Sequence, residues 1–340
     1  MSKMKTQMLS AKDTQVAAKI LRKGGIVAIP TETVYGLAAN ALDENAVRKI
    51  FVAKGRPSDN PLIVHISQIE EIKPLVGEFT TEAQRLAEAF WPGPLTIILK
   101  KSDVIPDVIS GGLDTVAIRL PAHPVAREII EAAGCPLAAP SANLSGSPSP
   151  TKASHVIDDL SGKIDAIVDA GACSVGLEST VISLCAPVPR VLRPGAVTIE
   201  QLRKVLCNVE VDAAVLSQLE KNVAPASPGM KYKHYAPHAK VVIINGSREQ
   251  YINYVNSNGY VNVAALCYEE DAADIAAPTV TYGNEADQSA QATMLFDALR
   301  KCDELSGVNL IYARCPSQDG VGLAVYNRLL RAAGFDVINL

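Results

Sequence analysis

Two cations lie two residues apart at a sharp turn of the chain. Lys54 and Arg56 flank Gly55 after a helix-like run, and Pro57 follows directly. Lysine offers a mobile point charge and arginine a planar fork of N–H donors, so the pair suits phosphate or carboxylate oxygens. The same residues are also typical of a solvated helix C-terminus, where the helix dipole favours cations. The residues alone leave both interpretations open.

A second candidate is the polar loop 137–151, LAAPSANLSGSPSPT, in which an apolar strand gives way to small hydroxyl and amide residues. Small side chains and glycine allow backbone amides and side-chain donors to converge on an anion. Such a composition is equally typical of an ordinary surface loop. The sequence contains no G-x-x-x-x-G-K-[ST] motif, so a nucleotide would need a cradle other than a P-loop. The loop's polar candidates are Ser141, Asn143, Ser145, Ser147 and Ser149.

Further polar residues lie within or just beyond predicted strands, where α/β sheets commonly bind ligands. Alternation along its strand allows Arg119 either to be half exposed or to point into a pocket. A lone histidine on a strand, such as His65, is more often structural than catalytic. No G-x-S-x-G or H-E-x-x-H motif occurs, so the residues favour anion binding over acid–base chemistry. These strand-associated residues are Thr33, His65, Arg119, Ser179 and Arg193.

The elements that must position these residues alternate between helix and strand patterns. Asp43 is predicted to cap a helix that buries Val47, Ile50 and Phe51 and ends at the Lys54 turn. Alternating helices and apolar strands predict a layered α/β domain, here with a mixed sheet. Segment 28–40 fits either a ligand site at a strand end or the capped start of a helix. Strands are expected at 26–29, 62–66, 95–99, 115–120, 166–170, 179–184 and 190–192, and helices near 81–90, 124–133, 152–160 and 198–206.

After residue 206 the pattern weakens and then resumes. Segment 221–240 carries four lysines, two histidines, three prolines and no acid, which indicates a linker. Strand and helix patterns then alternate again, as in a small doubly wound, Rossmann-like sheet. We therefore predict an N-terminal catalytic domain at 1–206, a linker at 207–238 and a C-terminal domain at 239–340. The C-terminal strands are expected at 241–246, 263–269 and 308–313, and the helices near 248–256, 291–304 and 323–334.

Composition limits the class of protein. The chain has 340 residues, 48% of them hydrophobic, which is enough for two cores, and its net charge of −4 argues against a uniformly basic nucleic-acid surface. Seven scattered cysteines without a C-x-x-C motif argue against a zinc site and for a reducing compartment. Without an apolar signal segment or a run of membrane-spanning length, the expectation is a cytoplasmic protein with no membrane partner.

Taken in order, several segments resemble one known family. PTETVYGL, KGRP with NPL, WPGPLT, RLP, APSANLSG, ESTV and LRPG resemble the YrdC-like domain of L-threonylcarbamoyl-AMP synthases, over residues near 10–205. HYAP at 234–237 and GLAVYNRLLRAA resemble the long, two-domain form of that enzyme. The resemblance implies a mixed twisted sheet of the YrdC-like, DHBP-synthase-like kind, followed by a smaller Rossmann-like α/β domain.

The resemblance also implies a reaction. L-threonine and bicarbonate would give N-carboxy-threonine, which attacks the α-phosphate of ATP to form threonylcarbamoyl-AMP and release pyrophosphate. The product would pass to a transferase that modifies the adenosine beside the anticodon of certain tRNAs. Mg²⁺ is expected to accompany the triphosphate, held by phosphate oxygens and water rather than by protein ligands. Direct tRNA binding is expected to be weak at most.

Residue roles follow from the same resemblance. The family's characteristic tetrad around the triphosphate and the reacting centre corresponds to Lys54, Arg56, Ser141 and Asn143. The rest of the ATP site would comprise Asn60, Thr115, Ser149, Arg193 and, in a lid formed by the linker, His234 and Tyr235. L-threonine would be bound by Thr33, His65, Arg119, Ala139 and Ser179, with Arg119 on its carboxylate. The linker could instead be a mere spacer.

Two other functions stay open. One is a transferase that forms a carbamoyl-adenylate, because related domains handle carbamoyl groups. The other is an RNA-binding, translation-associated module, with segment 221–240 contacting phosphates. The acidic net charge counts against the RNA-binding module.

Overall fold

The computed structural model describes residues 5–217, 234–258 and 261–340. In these ranges the chain forms two α/β units, each built on its own sheet. The strands of the first unit are β1 (Gln7–Ser10), β2 (Val27–Ile29), β3 (Gly36–Asn40), β4 (Ile63–His65), β5 (Leu95–Lys100), β6 (Thr115–Arg119), β7 (Leu137–Ala138), β8 (Ala166–Asp169), β9 (Thr180–Ser183), β10 (Arg190–Arg193) and β11 (Glu210–Val211). Its helices are α1 (Thr14–Arg22), α2 (Glu44–Lys54), α3 (Thr81–Phe90), α4 (Asp107–Ser110), α5 (Pro124–Ala133), α6 (Ala153–Leu160) and α7 (Ile199–Leu206), with 3₁₀ turns at Ile69–Leu75 and Ala213–Val215.

The eleven strands of the first unit form a mixed sheet, which confirms the predicted fold class. Their order is β1-β8-β2-β3-β7-β4-β6-β5-β9-β10-β11. Parallel pairs such as β4 with β6 and β5 with β9 alternate with antiparallel ones such as β5 with β6. Apolar clusters cover both faces, one of them containing side chains of α1 and α5 and the other side chains of α2, α3 and α7. This burial on two faces explains why most strands are apolar without alternation.

Strand register brings distant residues to one edge of the sheet. His65 lies opposite Arg119 at the ends of the parallel strands β4 and β6. Gly36, the first residue of β3, forms a bridge with Ser141 just beyond β7. Parallel strands that end together place their terminal side chains side by side. Residues more than a hundred positions apart are thereby assembled into one region.

Helix α2 positions the two cations. The Asp43 side chain accepts from the amides of Asn45 and Ala46, as predicted for its N-cap. The predicted inward face of Val47, Ile50 and Phe51 is buried. Gly55 ends the helix at φ 62° in the left-handed region, which a residue without a side chain adopts most easily.

The second unit is a smaller doubly wound sheet, as predicted. Its strands all pair in parallel, in the order β14-β13-β15-β12-β16. They are β12 (Lys240–Asn245), β13 (Val263–Cys267), β14 (Thr279–Thr281), β15 (Leu310–Arg314) and β16 (Val337–Asn339). The helices are α8 (Arg248–Asn258), α9 (Gln288–Glu304) and α10 (Gly322–Ala332), with a 3₁₀ turn at Ala272–Asp274. No helix in the described ranges combines the length and apolar character that a membrane crossing requires.

Some sequence expectations need correction. Segment 28–40 is not a helix start, because Gly36–Asn40 pairs as strand β3 with β2. The pattern concealed this strand because Leu37, Ala38 and Ala39 are all buried and show no alternation. Strands β1, β14 and β16 were also not predicted. The sequence also predicts that Asp13 caps α1 and that Val16, Ile20 and Leu21 share one apolar face. Asp13 makes no side-chain cap and instead accepts from the Ser10 hydroxyl, and Val16 is exposed.

The domain boundaries stay predictions. Part of the predicted linker, residues 218–233, lies outside the described residues, as does most of the basic segment 221–240. Of the remaining linker, β11 pairs in parallel with β10 and so extends the first sheet.

The capping of α2 can be tested by substitution. We expect Asp43→Ala to lower the free energy of unfolding by about 1 kcal/mol, because two amides of the first turn lose their acceptor. Denaturant unfolding with matched slopes measures this loss. Asp43→Ser is the control, since a serine oxygen can still cap the helix and should keep most of the stability. Equal losses for both variants would contradict the capping role.

Candidate functional site

A cleft in the first unit, bordered by His234 and Tyr235, gathers most of the predicted site residues. Its lining includes the cation pair, the polar loop, the strand-end residues and the His234–Tyr235 pair. The cavity volume is only about 60 Å³, far below the roughly 300–1,000 Å³ of typical ligand pockets. The space inside the cleft is therefore too small for a nucleotide in this structure. The predicted residues that line it are Thr33, Lys54, Arg56, His65, Arg119, Ala139, Ser141, Asn143, Ser179, Arg193, His234 and Tyr235.

Three predicted ATP residues do not belong to this lining. Asn60 is buried, and its carbonyl lies 3.4 Å from an Arg56 guanidinium nitrogen. Ser149 is fully buried and donates to Glu178, a residue that does line the cleft. Thr115 begins β6, four residues from Arg119 and thus roughly 13 Å along the strand. Their assignment to ATP stays a prediction.

The cation pair is not a solvated helix end. Lys54 is 2% exposed, and its ammonium donates to the carbonyl oxygens of Ser141 and Asn143 at 2.6 and 2.5 Å. Burial, followed by the nearby charge of Arg56, lowers the pKa of Lys54 well below its ordinary value. An anion beside Lys54 would oppose that shift, because it favours the charged ammonium. The pair is therefore built to receive negative charge.

The polar loop is held firmly rather than exposed as a surface loop. The amides of Leu37 and Tyr35 donate to the carbonyls of Pro140 and Pro150, which fastens the loop to β3 and the residue preceding it. The side-chain amide nitrogen of Asn143 donates to the backbone carbonyls of Leu144 and Ser147, both at 2.8 Å. These bonds fix the loop conformation around the Lys54 ammonium.

The opposite end of the cleft is organised by Arg119, which is 3% exposed and so is not half exposed on the outer face. Its guanidinium donates to Glu32 at 2.5 Å, to the Thr33 hydroxyl at 2.8 Å and to the Gly93 carbonyl at 3.2 Å. These bonds engage three of the five N–H donors of an arginine. A pocket-facing arginine with remaining donors suits a carboxylate.

His65 lies beside Arg119 as a buried, neutral residue. Burial, followed by the charge of Arg119, lowers the pKa of His65 to about 3. Its Nδ1 lies 3.2 Å from the carbonyl of Ile63. The imidazole is therefore uncharged near neutral pH and adds no repulsion to the positive charge of Arg119.

A third group of contacts connects the cleft to strands β9 and β10. Arg193 donates to the Ser179 carbonyl at 3.0 Å and to the Ser179 hydroxyl at 3.2 Å. That hydroxyl lies 2.7 Å from the hydroxyl of Thr96. Arg193 and Ser179 are thus placed together although their predicted ligands differ.

Sequence reasoning missed the carboxylates' roles. In the sequence, Glu32 and Glu178 are the one candidate carboxylate pair, but the structure instead pairs each of them with a buried arginine, Arg119 and Arg328. The signal for Arg328 was weak: a charged residue within the apolar run of α10. Its partner lies 150 residues away.

The Glu32–Arg119 pair generates a pH-dependent prediction. Burial raises the pKa of Glu32, but the charge of Arg119 together with hydrogen bonds from Arg119 and from backbone amides outweighs burial, and the net pKa is lowered. The ionised pair therefore stabilises the fold above the unfolded pKa of about 4.3, and this contribution is lost as pH falls through the lower folded pKa. We expect Glu32→Gln to lower the free energy of unfolding by about 3 kcal/mol at pH 7. Near pH 3 the free energy of unfolding should differ less between this variant and the unsubstituted chain.

Urea unfolding at pH 7 and at pH 3 to 4 measures this difference. The control is Glu210→Gln, which removes an exposed partner of Arg190 and should change stability by less than about 1 kcal/mol. If the loss of unfolding free energy caused by Glu32→Gln stays constant down to pH 3, the ionised Glu32 is not the source of the pH-dependent stability.

Two family models match successive parts of the chain. Residues 19–195 match the Sua5_yciO_yrdC family, described as "Telomere recombination", and residues 197–334 match the threonylcarbamoyl-AMP synthase C-terminal domain. The threonylcarbamoyl-AMP synthase of Bacillus subtilis is 49% identical over 339 residues, which cover 98% of this chain and 97% of the relative.

Solved structures match the whole two-unit architecture. Sua5 from P. abyssi in complex with L-threonine superposes with a TM-score of 0.90 at 44% identity, covering 98% of this chain and 100% of that one. The H234A/Y235A variant of the same Sua5 superposes with a TM-score of 0.91 at 43% identity, covering 98% of each chain. The chain therefore belongs to the two-domain threonylcarbamoyl-AMP synthase family of enzymes.

Proposed function

We propose that the protein transfers the adenylyl group of ATP to N-carboxy-L-threonine, in the biosynthesis of threonylcarbamoyladenosine in tRNA. The observation that carries this proposal is that one cleft contains both a group of residues suited to phosphates and a group suited to an amino acid. A lysine–arginine pair with a polar loop suits phosphates, and a buried arginine with a threonine hydroxyl suits an amino-acid carboxylate. The name of the B. subtilis relative and the L-threonine complex of P. abyssi Sua5 support the same assignment.

The ATP end would act chiefly by positioning and charge compensation. Transfer to phosphorus needs in-line placement and stabilisation of spreading negative charge more than covalent help. Lys54, Arg56, Ser141 and Asn143 would hold the triphosphate, because they line the cleft and are fixed by hydrogen bonds to one another or to the backbone. The remaining ATP residues would be Asn60, Thr115, Ser149, Arg193, His234 and Tyr235.

The threonine end would hold the second substrate beside the α-phosphate. Arg119 would donate to the threonine carboxylate with the donors that Glu32, Thr33 and Gly93 leave unused. Thr33, the backbone at Ala139, and Ser179 line the same region. The neutral His65 would contribute shape and hydrogen bonding rather than charge.

Two bond-forming steps would follow. The threonine amine attacks the carbon of bicarbonate, and water leaves to give the carbamate. A carbamate oxygen then attacks the α-phosphorus of ATP, the bond between α-phosphorus and the bridging oxygen breaks, and pyrophosphate leaves. A closed cleft would protect the resulting mixed anhydride from water.

Mg²⁺ would accompany ATP as a ligand of its phosphates. Among residues 5–217, 234–258 and 261–340, no cluster of three or more His, Cys, Asp or Glu side chains could hold a metal ion. The acids of the cleft region, Glu32 and Glu178, are each paired with an arginine. These residues fit an ion coordinated mainly by phosphate oxygens and water, whose positive charge would assist departure of pyrophosphate.

The partners of the reaction follow from the chemistry of the product. A carbamoyl-adenylate anhydride is an activated acyl donor, so the next enzyme would be a transferase that delivers its threonylcarbamoyl group to tRNA. Direct tRNA contact by this chain would be weak at most. We place this function in the cytoplasm.

Substrate omission tests the reaction. We expect pyrophosphate release to require ATP, L-threonine and bicarbonate together. Arg56→Ala should raise the KM for ATP about 10- to 100-fold, and Arg119→Ala should raise the KM for threonine by a similar factor, because each loses charge-assisted hydrogen bonds to its substrate. Arg48→Ala, an exposed arginine on α2, is the matched control and should leave both KM values within about twofold.

Other outcomes would favour the alternatives. Pyrophosphate release that depends on carbamoyl phosphate rather than on threonine and bicarbonate would indicate the carbamoyl-adenylate transferase. Salt-sensitive tRNA binding without ATP consumption would indicate the RNA-binding module.

The linker would act as a lid over the nucleotide. His234 and Tyr235 line the cleft, and the Ala236 amide donates to the Gly146 carbonyl at 2.9 Å. Tyr235 packs on Phe296 of the second unit, with ring centroids 5.1 Å apart. Because the cavity holds only about 60 Å³, the lid would have to open for ATP to enter.

We expect Tyr235→Ala to lower turnover about tenfold or more, because a poorly closed lid admits water and loosens the nucleotide. Steady-state pyrophosphate release measures turnover, and thermal unfolding checks that the fold persists. Tyr254→Ala, a partly buried tyrosine of α8 remote from the cleft lining, is the control. Unchanged kinetics for Tyr235→Ala would favour a mere spacer.

A further inference from the structure

One arginine of the second unit pairs with an acid that lines the cleft of the first unit. Arg328 of α10 has 0% exposure and donates through Nε to Glu178 Oε2 at 2.8 Å. Its other nitrogens donate to the Glu178 carbonyl at 3.0 Å and to the Pro194 carbonyl at 2.8 Å. The guanidinium thus binds Glu178 and Pro194, which are the chain neighbours of Ser179 and Arg193.

Glu178 is a negative charge beside a proposed phosphate site. It lines the cleft, and its second oxygen accepts from Ser149. Burial raises the pKa of this carboxyl, but the charges of Arg328 and then Arg193 outweigh burial, so the pKa is lowered. The ionised carboxylate would repel a triphosphate through a medium of low dielectric constant unless a counter-charge stayed close.

Other ion pairs between the two units do not have this property. Arg300 of α9 pairs with Asp159 at 2.9 Å, and both side chains are largely buried. Neither residue lines the cleft. This pair nevertheless contacts the polar loop, because Arg300 donates to the Pro148 carbonyl at 2.6 Å and Asp159 accepts from the Leu144 amide at 3.0 Å. Arg314 of the second unit is the better comparison, because it is buried, pairs with the buried Asp271 at 3.5 Å, and neither residue lines the cleft. Arg328 differs because its carboxylate partner faces the cleft.

We propose that Arg328 is a positioning residue for ATP, supplied by the C-terminal domain, which neutralises Glu178 and so makes the cleft acceptable to the triphosphate. This inference rests on the proposed function, because it takes ATP as the ligand. It assigns the second unit a direct electrostatic part in nucleotide binding. Arg328 also lies under the lid, with its guanidinium carbon 5.9 Å from the Tyr235 ring centroid.

Titration of Mg²⁺–ATP into the full chain by calorimetry tests the proposal. We expect Arg328→Met to raise the Kd for ATP on the order of tenfold or more, because Glu178 loses its paired arginine and keeps only the smaller influence of the Arg193 charge. Glu178→Gln should lower the Kd, and the double variant should return it to within about threefold of the unsubstituted chain. Arg328→Lys should retain most of the affinity, because it keeps the positive charge.

Arg314→Met is the control, because it removes a buried arginine of the second unit whose carboxylate partner does not line the cleft, and it should change the Kd less than about threefold. If Arg314→Met weakens binding as much as Arg328→Met, or if Glu178→Gln fails to restore affinity in the double variant, Arg328 acts only through the stability of the fold and the proposal falls. If Arg328→Met does not fold, the Arg328→Lys and Glu178→Gln affinities decide the question.

The proposed function fails separately. An unsubstituted chain that binds no ATP overturns both the function and this inference. An unsubstituted chain that binds ATP and releases pyrophosphate, while Arg328→Met binds ATP equally well, overturns only the role of Arg328.

Discussion

Burying a charged group is costly unless an opposite charge or several acceptor oxygens surround it, and this requirement shapes the cleft. Lys54 is enclosed by two carbonyl oxygens, Arg119 by Glu32 and Thr33, and Glu178 by Arg328. Each set of contacts joins segments that are far apart in sequence. The fold therefore has little freedom to place these groups elsewhere.

Sheet register converts this electrostatic requirement into a geometry. The parallel pairing of β4 with β6 sets His65 opposite Arg119, and the bridge from Gly36 to Ser141 brings the polar loop alongside. The sheet is buried on both faces, so its strands cannot slip without exposing apolar side chains. The ends of the strands thus form a rigid base, and the lid residues close the cleft from the other side.

Sequence alone was sufficient for several local features, although the Asp13 cap is an exception. The Asp43 cap, the apolar face of α2 and the end of that helix at the Lys54 turn follow from residues within about three turns. The residue types left Lys54 and Arg119 undecided between exposed and buried, because burial depends on packing against distant segments. The family resemblance supplied their expected roles. It did not reveal Glu178 with Arg328, whose partnership spans 150 residues and two units.

The hydrogen bonds from Arg328 of α10 to Glu178 and Pro194 affect whether the two units can be separated. Each unit has its own sheet and core and would ordinarily be regarded as separable. The first unit, however, keeps an acid in its ligand cavity whose counter-ion belongs to the second. A natural or engineered one-domain version would have to lose that acid or obtain a cation from another source. Substitutions at the acid of the first unit and at the arginine of the second are thus expected to depend on each other during evolution.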